Sequence, residues 1–305
     1  MTPSDIQTVL DKLVLEAFQD DTWGSPAKYI PELACIQPDQ FAISVALACG
    51  KTLSAGASEM QFSIQSISKV FTLSLALGRC GDALWARVGR EASGSSFDSI
   101  ALLELEKGRP RNPFINAGAI VTTDSLLEGH APKETLSEIL RFVRVMADDQ
   151  NIHINPDVAS SEKATGHRNF SLAYYLQSHE NLRNDPTMTM GTYFHQCAIE
   201  MSTRQLAQAG RYLANIGPRN SPISRDKIRR INAIMMTCGL YDESGDFAFR
   251  VGLPSKSGVG GGVLLIVPGR ASIAIWSPGL NGYGNSKAAI IAAQRLSTRL
   301  GWSVF

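Results

Sequence analysis

Strand-like apolar patterning is confined to the two ends of this 305-residue chain, and helix-like spacing fills the long stretch from about Gly81 to Leu240. That distribution constrains the fold more than any single motif. Near the start, an apolar run from Phe41 to Cys49 is followed by a hairpin turn at Gly50-Lys51 and by alternation at Phe62 and Ile64. Near the end, Ala248 to Leu253, Gly262 to Val267 and Ser272 to Ser277 read as short strands joined by turns such as Pro268-Gly269. Backbone groups of buried strands must be paired, so the two ends are expected to meet in one discontinuous sheet. Ser4 and Asp5 are expected to cap an opening helix that runs to about Gln19, before Gly24, Pro26 and Pro31 break the pattern. Helical spacing recurs in Lys133 to Met146, Ser171 to Gln177, Thr203 to Asn215 and Ile223 to Met236, and Asn285 to Leu300 closes as a helix. No internal repeat, low-complexity tract or linker interrupts the chain. The expected fold class is α/β in the α+β sense, an antiparallel sheet flanked by helices with a helical lobe inserted. One catalytic domain over 1–305 is expected, with a sheet subdomain at about 1–70 and 240–305 and a helical lobe at about 71–239.

Charge narrows the function classes. The formal net charge is +1 with 19% charged residues and no long run of one sign, which argues against nucleic-acid or membrane-surface partners. No apolar run approaches the roughly 20 residues of a spanning helix. The opening segment reads as an amphipathic helix with acidic residues rather than a signal or transit peptide, so a cytoplasmic enzyme is expected. Cys35, Cys49, Cys80, Cys197 and Cys238 are odd in number and irregularly spaced, which fits reduced thiols better than a disulfide framework. His130, His153, His167, His179 and His195 form no metal-ligand pattern, and no metal site is expected.

The segment Phe62-Ser63-Ile64-Gln65-Ser66-Ile67-Ser68-Lys69-Val70-Phe71 sets a hydroxyl and an amine three residues apart where a strand enters a helix. Residues three apart share a helix face, so Lys69, if desolvated and neutral, can take the proton of Ser66 in the first helical turn. Serine needs such a base to become a nucleophile. The plain alternative is a polar pair on a solvated face, but the apolar neighbours imply burial, and buried lysines seldom lack a partner or a task.

A second motif, Lys256-Ser257-Gly258 followed by Val259-Gly260-Gly261-Gly262, occurs late in the chain. Penicillin-recognising serine enzymes pair S-x-x-K with a later K-[ST]-G on an edge strand, where absent side chains let backbone N–H groups reach the reacting oxygen. A glycine-rich turn between strands is the structural alternative. The third motif of those enzymes, S-x-N or Y-x-N between the other two, is missing, since Tyr283-Gly284-Asn285 comes after K-S-G.

Taken together, the Ser66 segment, Asn112-Pro113-Phe114-Ile115-Asn116-Ala117-Gly118-Ala119-Ile120, Ser161-Glu162 with Arg168-Asn169, Thr237-Cys238-Gly239-Leu240-Tyr241-Asp242, and Lys256 to Gly262 closely resemble the serine-dependent glutaminases. Those enzymes hydrolyse L-glutamine to L-glutamate and ammonia on a β-lactamase-like fold. The likeness runs over nearly the whole chain and suits the compact bacterial type. It implies Ser66 as nucleophile, Lys69 as base and Tyr241 as a second proton-transfer group. It further implies a substrate pocket of Tyr29, Gln65, Ser66, Asn116, Glu162, Asn169, Tyr193, Tyr241 and Val259, with the oxyanion held by the backbone N–H groups of Ser66 and Val259. A γ-glutamyl-serine intermediate, no cofactor, and a homodimer or homotetramer complete the expectation.

The implied set suits its substrate chemically. Glutamine carries an α-ammonium and an α-carboxylate, so its pocket needs an anionic acceptor and several neutral donors. Each position also has an ordinary use: Asn116 as a helix cap, Glu162 as a first-turn acid, Asn169 in a turn, Tyr29 and Tyr193 in packing, and Tyr241 beside a turn. Ala92 and Asp98 stand where the family commonly has proline and asparagine, and Phe114 where it has methionine; these departures bear on loop shape and subunit contacts. A β-lactamase or peptidase, and a glutamine sensor without turnover, are the competing functions.

Overall fold

The computed structural model describes residues 2–19, 23–217 and 223–305. Its strands are β1 (Ala42–Leu47), β2 (Thr52–Gly56), β3 (Phe62–Ser63), β4 (His153–Ile154), β5 (Ile199–Met201), β6 (Ser255–Ser257), β7 (Gly262–Val267) and β8 (Ala271–Trp276). Five of them form an antiparallel sheet in the order β2-β1-β8-β7-β6, so strands from both ends of the chain pair, with Ala42 opposite Trp276 and Ser255 opposite Leu265. A smaller sheet, β3-β5-β4, ties the approach to Ser66 to the helical region.

Alternation sorts the large sheet into two cores. Ile43, Val45, Leu47, Val263, Leu265, Ile273 and Ile275 pack with Ile6, Leu10, Leu13, Ala289 and Leu296 of the terminal helices. Their neighbours Ala42, Ala46, Leu264, Ile266, Ala274 and Trp276 face the helical core on the other side. Burying each of the larger aliphatic side chains contributes about 1.5–3 kcal/mol, so a one-residue slip of register would be costly. The terminal helices, Pro3–Gln19 and Lys287–Leu300, are further joined by Glu16, whose Oε1 lies 2.6 Å from Arg299 Nη2.

At the centre of the other core is the helix Asn116–Leu127, buried at every position. A helix buried all round must satisfy its polar side chains internally. Thr122 and Thr123 donate back to the carbonyls of Gly118 and Ala119, and Asp124 accepts from Arg87 and from the amides of Arg183 and Asn184. The N-terminal end of this central helix delivers Asn116 to the side facing Ser66.

Three local expectations are corrected. Ala248 to Leu253 is not a strand: Ser244–Arg250 is helical, and the strand begins at Ser255, after Pro254. Phe247 and Val251, four apart, are buried on one helical face, whereas Phe249, which alternation would place inside, is 90% exposed. Asp246 and Arg250 close an i,i+4 pair that supports the helix. At the start of the opening helix Thr2 takes the place expected of Ser4, its Oγ1 accepting from Asp5 N at 3.3 Å, while Asp5 caps as expected, its carboxylate accepting from Thr2 N at 2.7 Å. Ser66 lies in a 3-10 turn, Gln65–Ile67, immediately before the helix Ser68–Cys80.

Candidate active site

Strand β3 ends at Ser63, and Gln65 turns the chain through a left-handed conformation (φ 49°) that places Ser66 at the head of the Ser68–Cys80 helix. A left-handed non-glycine residue is uncommon and costs free energy, so surrounding contacts must hold it. Those contacts come from β6 and the glycines after it. A Cβ on Gly258 would stand 2.5 Å from the Ile64 carbonyl oxygen and 3.2 Å from Ser66 N, and one on Gly260 would stand 2.1 Å from Ser63 O. Only glycine permits this approach of two backbones. The Trp276 indole N–H fixes the same loop by donating to Gly260 O at 2.9 Å.

Lys69 is 1% exposed. Its Nζ donates to Asn116 Oδ1 at 2.7 Å and to Phe114 O at 3.2 Å, and among the described residues it makes no hydrogen bond to Ser66. Asn112 shapes that cradle: its Oδ1 accepts from the amides of Phe114 and Ile115 at 2.9 and 3.0 Å, folding the turn ahead of the central helix. Asn116 therefore does not cap its helix; Ile115 holds the N-cap position without a side-chain cap, and Asn116 points at the amine. Burial lowers the Lys69 pKa to about 8, against the opposing pull of Cys197, Glu162 and Asp98.

Tyr241 follows the Arg225–Cys238 helix, is also left-handed (φ 57°), and is 6% exposed. Its hydroxyl faces the hydroxyls of Ser66 and Ser257 but reaches hydrogen-bonding geometry with neither. Burial pushes the phenol up to about 12, and the nearby Ser66 hydroxyl opposes this. The Lys256 amine stands 4.3 Å from the centre of the Tyr241 ring, and the Phe97 ring packs on it at 4.7 Å.

Between the sheet and the helices lies a cavity of about 160 Å³. It is lined by Tyr29, Gln65, Ser66, Asn116, Glu162, Asn169, Tyr193 and Val259 of the sequence-predicted set. Lys69 lies behind that wall, held by Asn116, and Tyr241 approaches Ser66 from the β6 side. Phe97, Asp98, Thr165, Gly166, Arg168 and Cys197 also line it and were missed. Arg168 stands beside Asn169 in one of the family-like segments, and Asp98, expected from the sequence to bear on loop shape and subunit contacts, lies instead on the cavity wall. Asp98 pairs with Arg168 at 3.0 Å, closing part of the rim.

Glu162 sits well past the first turn of the Pro156–Thr165 helix, which Asn155 caps, and it is 7% exposed. Burial raises its pKa to about 7, opposed by the nearby Gln65 amide, whose Nε2 donates to Ser63 Oγ at 3.0 Å, and by the charge of Lys69. Asn169, near the start of the His167–Ser178 helix, accepts from Asn116 Nδ2 at 2.8 Å. Tyr193 is buried on the Pro186–Cys197 helix, whereas Tyr29 is 52% exposed at the rim. Among the described residues no group of three His, Cys, Asp or Glu side chains is placed to hold a metal ion. The site thus combines a hydroxyl, a buried amine and a buried phenol with one carboxylate suited to receiving a cation.

Comparison with known proteins gives one consistent result. The family model described as Glutaminase matches residues 24–305. A protein named glutaminase from Mesorhizobium japonicum is 56% identical over 304 residues, covering 98% of this chain and 96% of its own length. Another from Methylobacterium radiotolerans is 56% identical over 305 residues, covering 99% of both. Among solved structures, the probable glutaminase YbaS superposes with a TM-score of 0.94 at 35% identity over 100% of this chain and 99% of that one. Mglu in its glutamate form gives 0.92 at 34% identity, over 98% of this chain and 69% of that one.

Proposed function

This chain belongs to the glutaminase family, and we propose that Ser66 carries its chemistry through a γ-glutamyl ester made and broken with Lys69 and Tyr241. The protein hydrolyses L-glutamine to L-glutamate and ammonia, on the β-lactamase-like fold of its structural neighbours. The observation that carries the serine mechanism is the double donation by Lys69. A neutral amine has two N–H bonds and one lone pair; with both N–H groups directed to Asn116 Oδ1 and Phe114 O, the lone pair is left for the Ser66 hydroxyl one turn away. Its lowered pKa keeps a useful fraction neutral near neutral pH.

Lys69 takes the Ser66 proton as Oγ attacks the γ-carbonyl carbon. The resulting oxyanion is held by the backbone N–H groups of Ser66 and Val259, which the close packing of Gly258 on the Ser66 turn supports. Collapse breaks the C–N bond, and the leaving nitrogen receives a proton from protonated Lys69 by way of the Tyr241 hydroxyl, which faces Ser66. Water, deprotonated by the regenerated Lys69, then attacks the ester, and the same proton passes from Lys69 to Ser66 Oγ as the C–O bond breaks and glutamate leaves. Glu162 accepts the α-ammonium, while Asn116, Asn169, Tyr193 and Tyr29 offer neutral donors to the α-carboxylate. No cofactor enters the scheme.

The same reading includes one catalytic unit, with the sheet at about 1–70 and 240–305 serving the lobe at 71–239. It also includes a homodimer or homotetramer, as the family resemblance implies, and a cytoplasmic location, supported by five free cysteines. No helix among the described residues is long and apolar enough to cross a membrane. The test is ammonia release from glutamine by Ser66→Ala and Lys69→Ala. Both variants are expected to keep the circular dichroism of the parent and lose turnover; full activity in either would overturn the assignment.

A further inference from the structure

Lys69, Asn116 and Asn169 form a hydrogen-bonded chain whose direction is fixed from one end. An amine that reserves its lone pair for Ser66 can only donate to Asn116, so Asn116 must present Oδ1 to it, at 2.7 Å. The Nδ2 of Asn116 then faces outward and donates to Asn169 Oδ1 at 2.8 Å. Asn169 is left with its own Nδ2, which meets no acceptor among the described residues, on the wall of the cavity. The chain thus starts at the base and ends as an empty donor in the substrate pocket. Asp98 and Arg168 on the same wall neutralise each other at 3.0 Å, which leaves Glu162 as the carboxylate without a cationic partner on that wall, so the free donor suits the oppositely charged end of an amino-acid substrate.

Resting on the glutaminase reading above, we propose that the substrate α-carboxylate binds Asn169 Nδ2 and, through Asn116, sets the position of the Lys69 amine, so that substrate recognition acts on the chemical step as well as on binding. An anion at the end of an aligned chain polarises each bond behind it and shortens them together. The effect reaches both half-reactions, because the γ-glutamyl ester retains its α-carboxylate while Lys69 activates water. Asn169 and Asn116 are positioning residues in this role. Misplacement of a base by about 1 Å costs on the order of a hundredfold in rate, so modest loosening of the chain should be visible.

The experiment compares glutamine with 4-aminobutanamide, which is glutamine without its α-carboxylate, in the parent enzyme and in Asn169→Ala. Asn169 is only partly buried, so the variant is expected to fold, and its Tm is recorded alongside. In the parent, loss of the carboxylate should lower kcat by about tenfold or more, in addition to raising KM. In Asn169→Ala the kcat for glutamine should fall to that for 4-aminobutanamide, making the ratio of the two close to one. A rise in KM alone, with the kcat ratio of the parent preserved, would overturn the relay while leaving Asn169 as a substrate contact. No change in either constant would overturn the relay and the placement of Asn169 against substrate together.

Discussion

The two walls of the active site are built from different materials. On the sheet side the chemistry rests on backbone: Gly258 and Gly260 lie where a Cβ would collide with Ile64 O and Ser63 O, and Gln65 and Tyr241 adopt left-handed conformations. On the helical side it rests on side chains: Asn116, Glu162, Asn169 and Tyr193 project from four helices into the cavity. A backbone wall positions the reacting oxygen with almost no freedom, whereas a side-chain wall reads the shape and charge of the substrate. Substitutions on the first should therefore act mainly on kcat and those on the second mainly on KM, except along the chain from Asn169 through Asn116 to Lys69, where kcat should fall as well. Lys69 belongs to both, its backbone on the Ser66 helix and its amine held by the lobe.

Replacing that shared residue should give the largest effect. Lys69→Met is expected to lower kcat by about 10³–10⁴ while raising stability, because it removes a buried amine. The folded amine holds its proton less tightly than the unfolded chain, with a pKa of about 8 against 10.5. Between those values the unfolded state binds more protons, so the parent gains stability as pH rises. The advantage of methionine should be on the order of 3 kcal/mol near pH 7 and disappear above about pH 10.5, measured by denaturant titration at several pH values. Unchanged stability at both extremes would show that the amine is solvated.

A sheet-side test comes next in size. Gly258→Ala pushes a methyl toward Ile64 O and is expected to cost about 10²–10³ in kcat with KM changed little, as for loss of an oxyanion donor. If KM rises while kcat holds, the division between the walls is wrong. Tyr241→Phe should cost about a hundredfold in kcat without lowering Tm, since the hydroxyl it removes has no hydrogen-bond partner among the described residues. The smallest expected change is on the lobe side. Glu162→Gln should raise KM by about tenfold or more with a lesser loss in kcat, checked by steady-state kinetics on glutamine. An equal loss in both would place Glu162 among the groups that act in the transition state.

The two walls were also unequally legible in the sequence. S-x-x-K and K-S-G-V-G-G-G announced the backbone wall because the need for glycine and for a strand-to-helix junction is written in residue type. The pairing of distant strands followed from apolar runs at both ends, and the five-stranded antiparallel order bears out that fold class. The lobe wall was legible only through family resemblance. Glu162, Asn169 and Tyr193 are isolated polar or aromatic residues on separate helices, and no local period distinguishes them from surface or packing positions. Phe97, Asp98, Thr165, Gly166 and Cys197 were missed for that reason, since they meet only when helices distant in sequence pack together. The helix at Ser244–Arg250 was misread because Phe247, Phe249 and Val251 satisfy a strand period as well as a helical one, and the exposure of Phe249 decides between them only in three dimensions.

The central claim is that Ser66 is made reactive by an unprotonated Lys69. Its most direct test is the rate at which a γ-glutamyl ester forms on Ser66 after rapid mixing with glutamine, followed by quench and peptide mass spectrometry across pH. The ester should appear on the Ser66 peptide at a rate that climbs as pH rises through about 8, with a further fall below about 7 as Glu162 takes up a proton. It should be absent in Ser66→Ala and nearly so in Lys69→Met. Glutamate formed at full rate with no ester on Ser66, or an ester whose rate ignores the loss of Lys69, would contradict it.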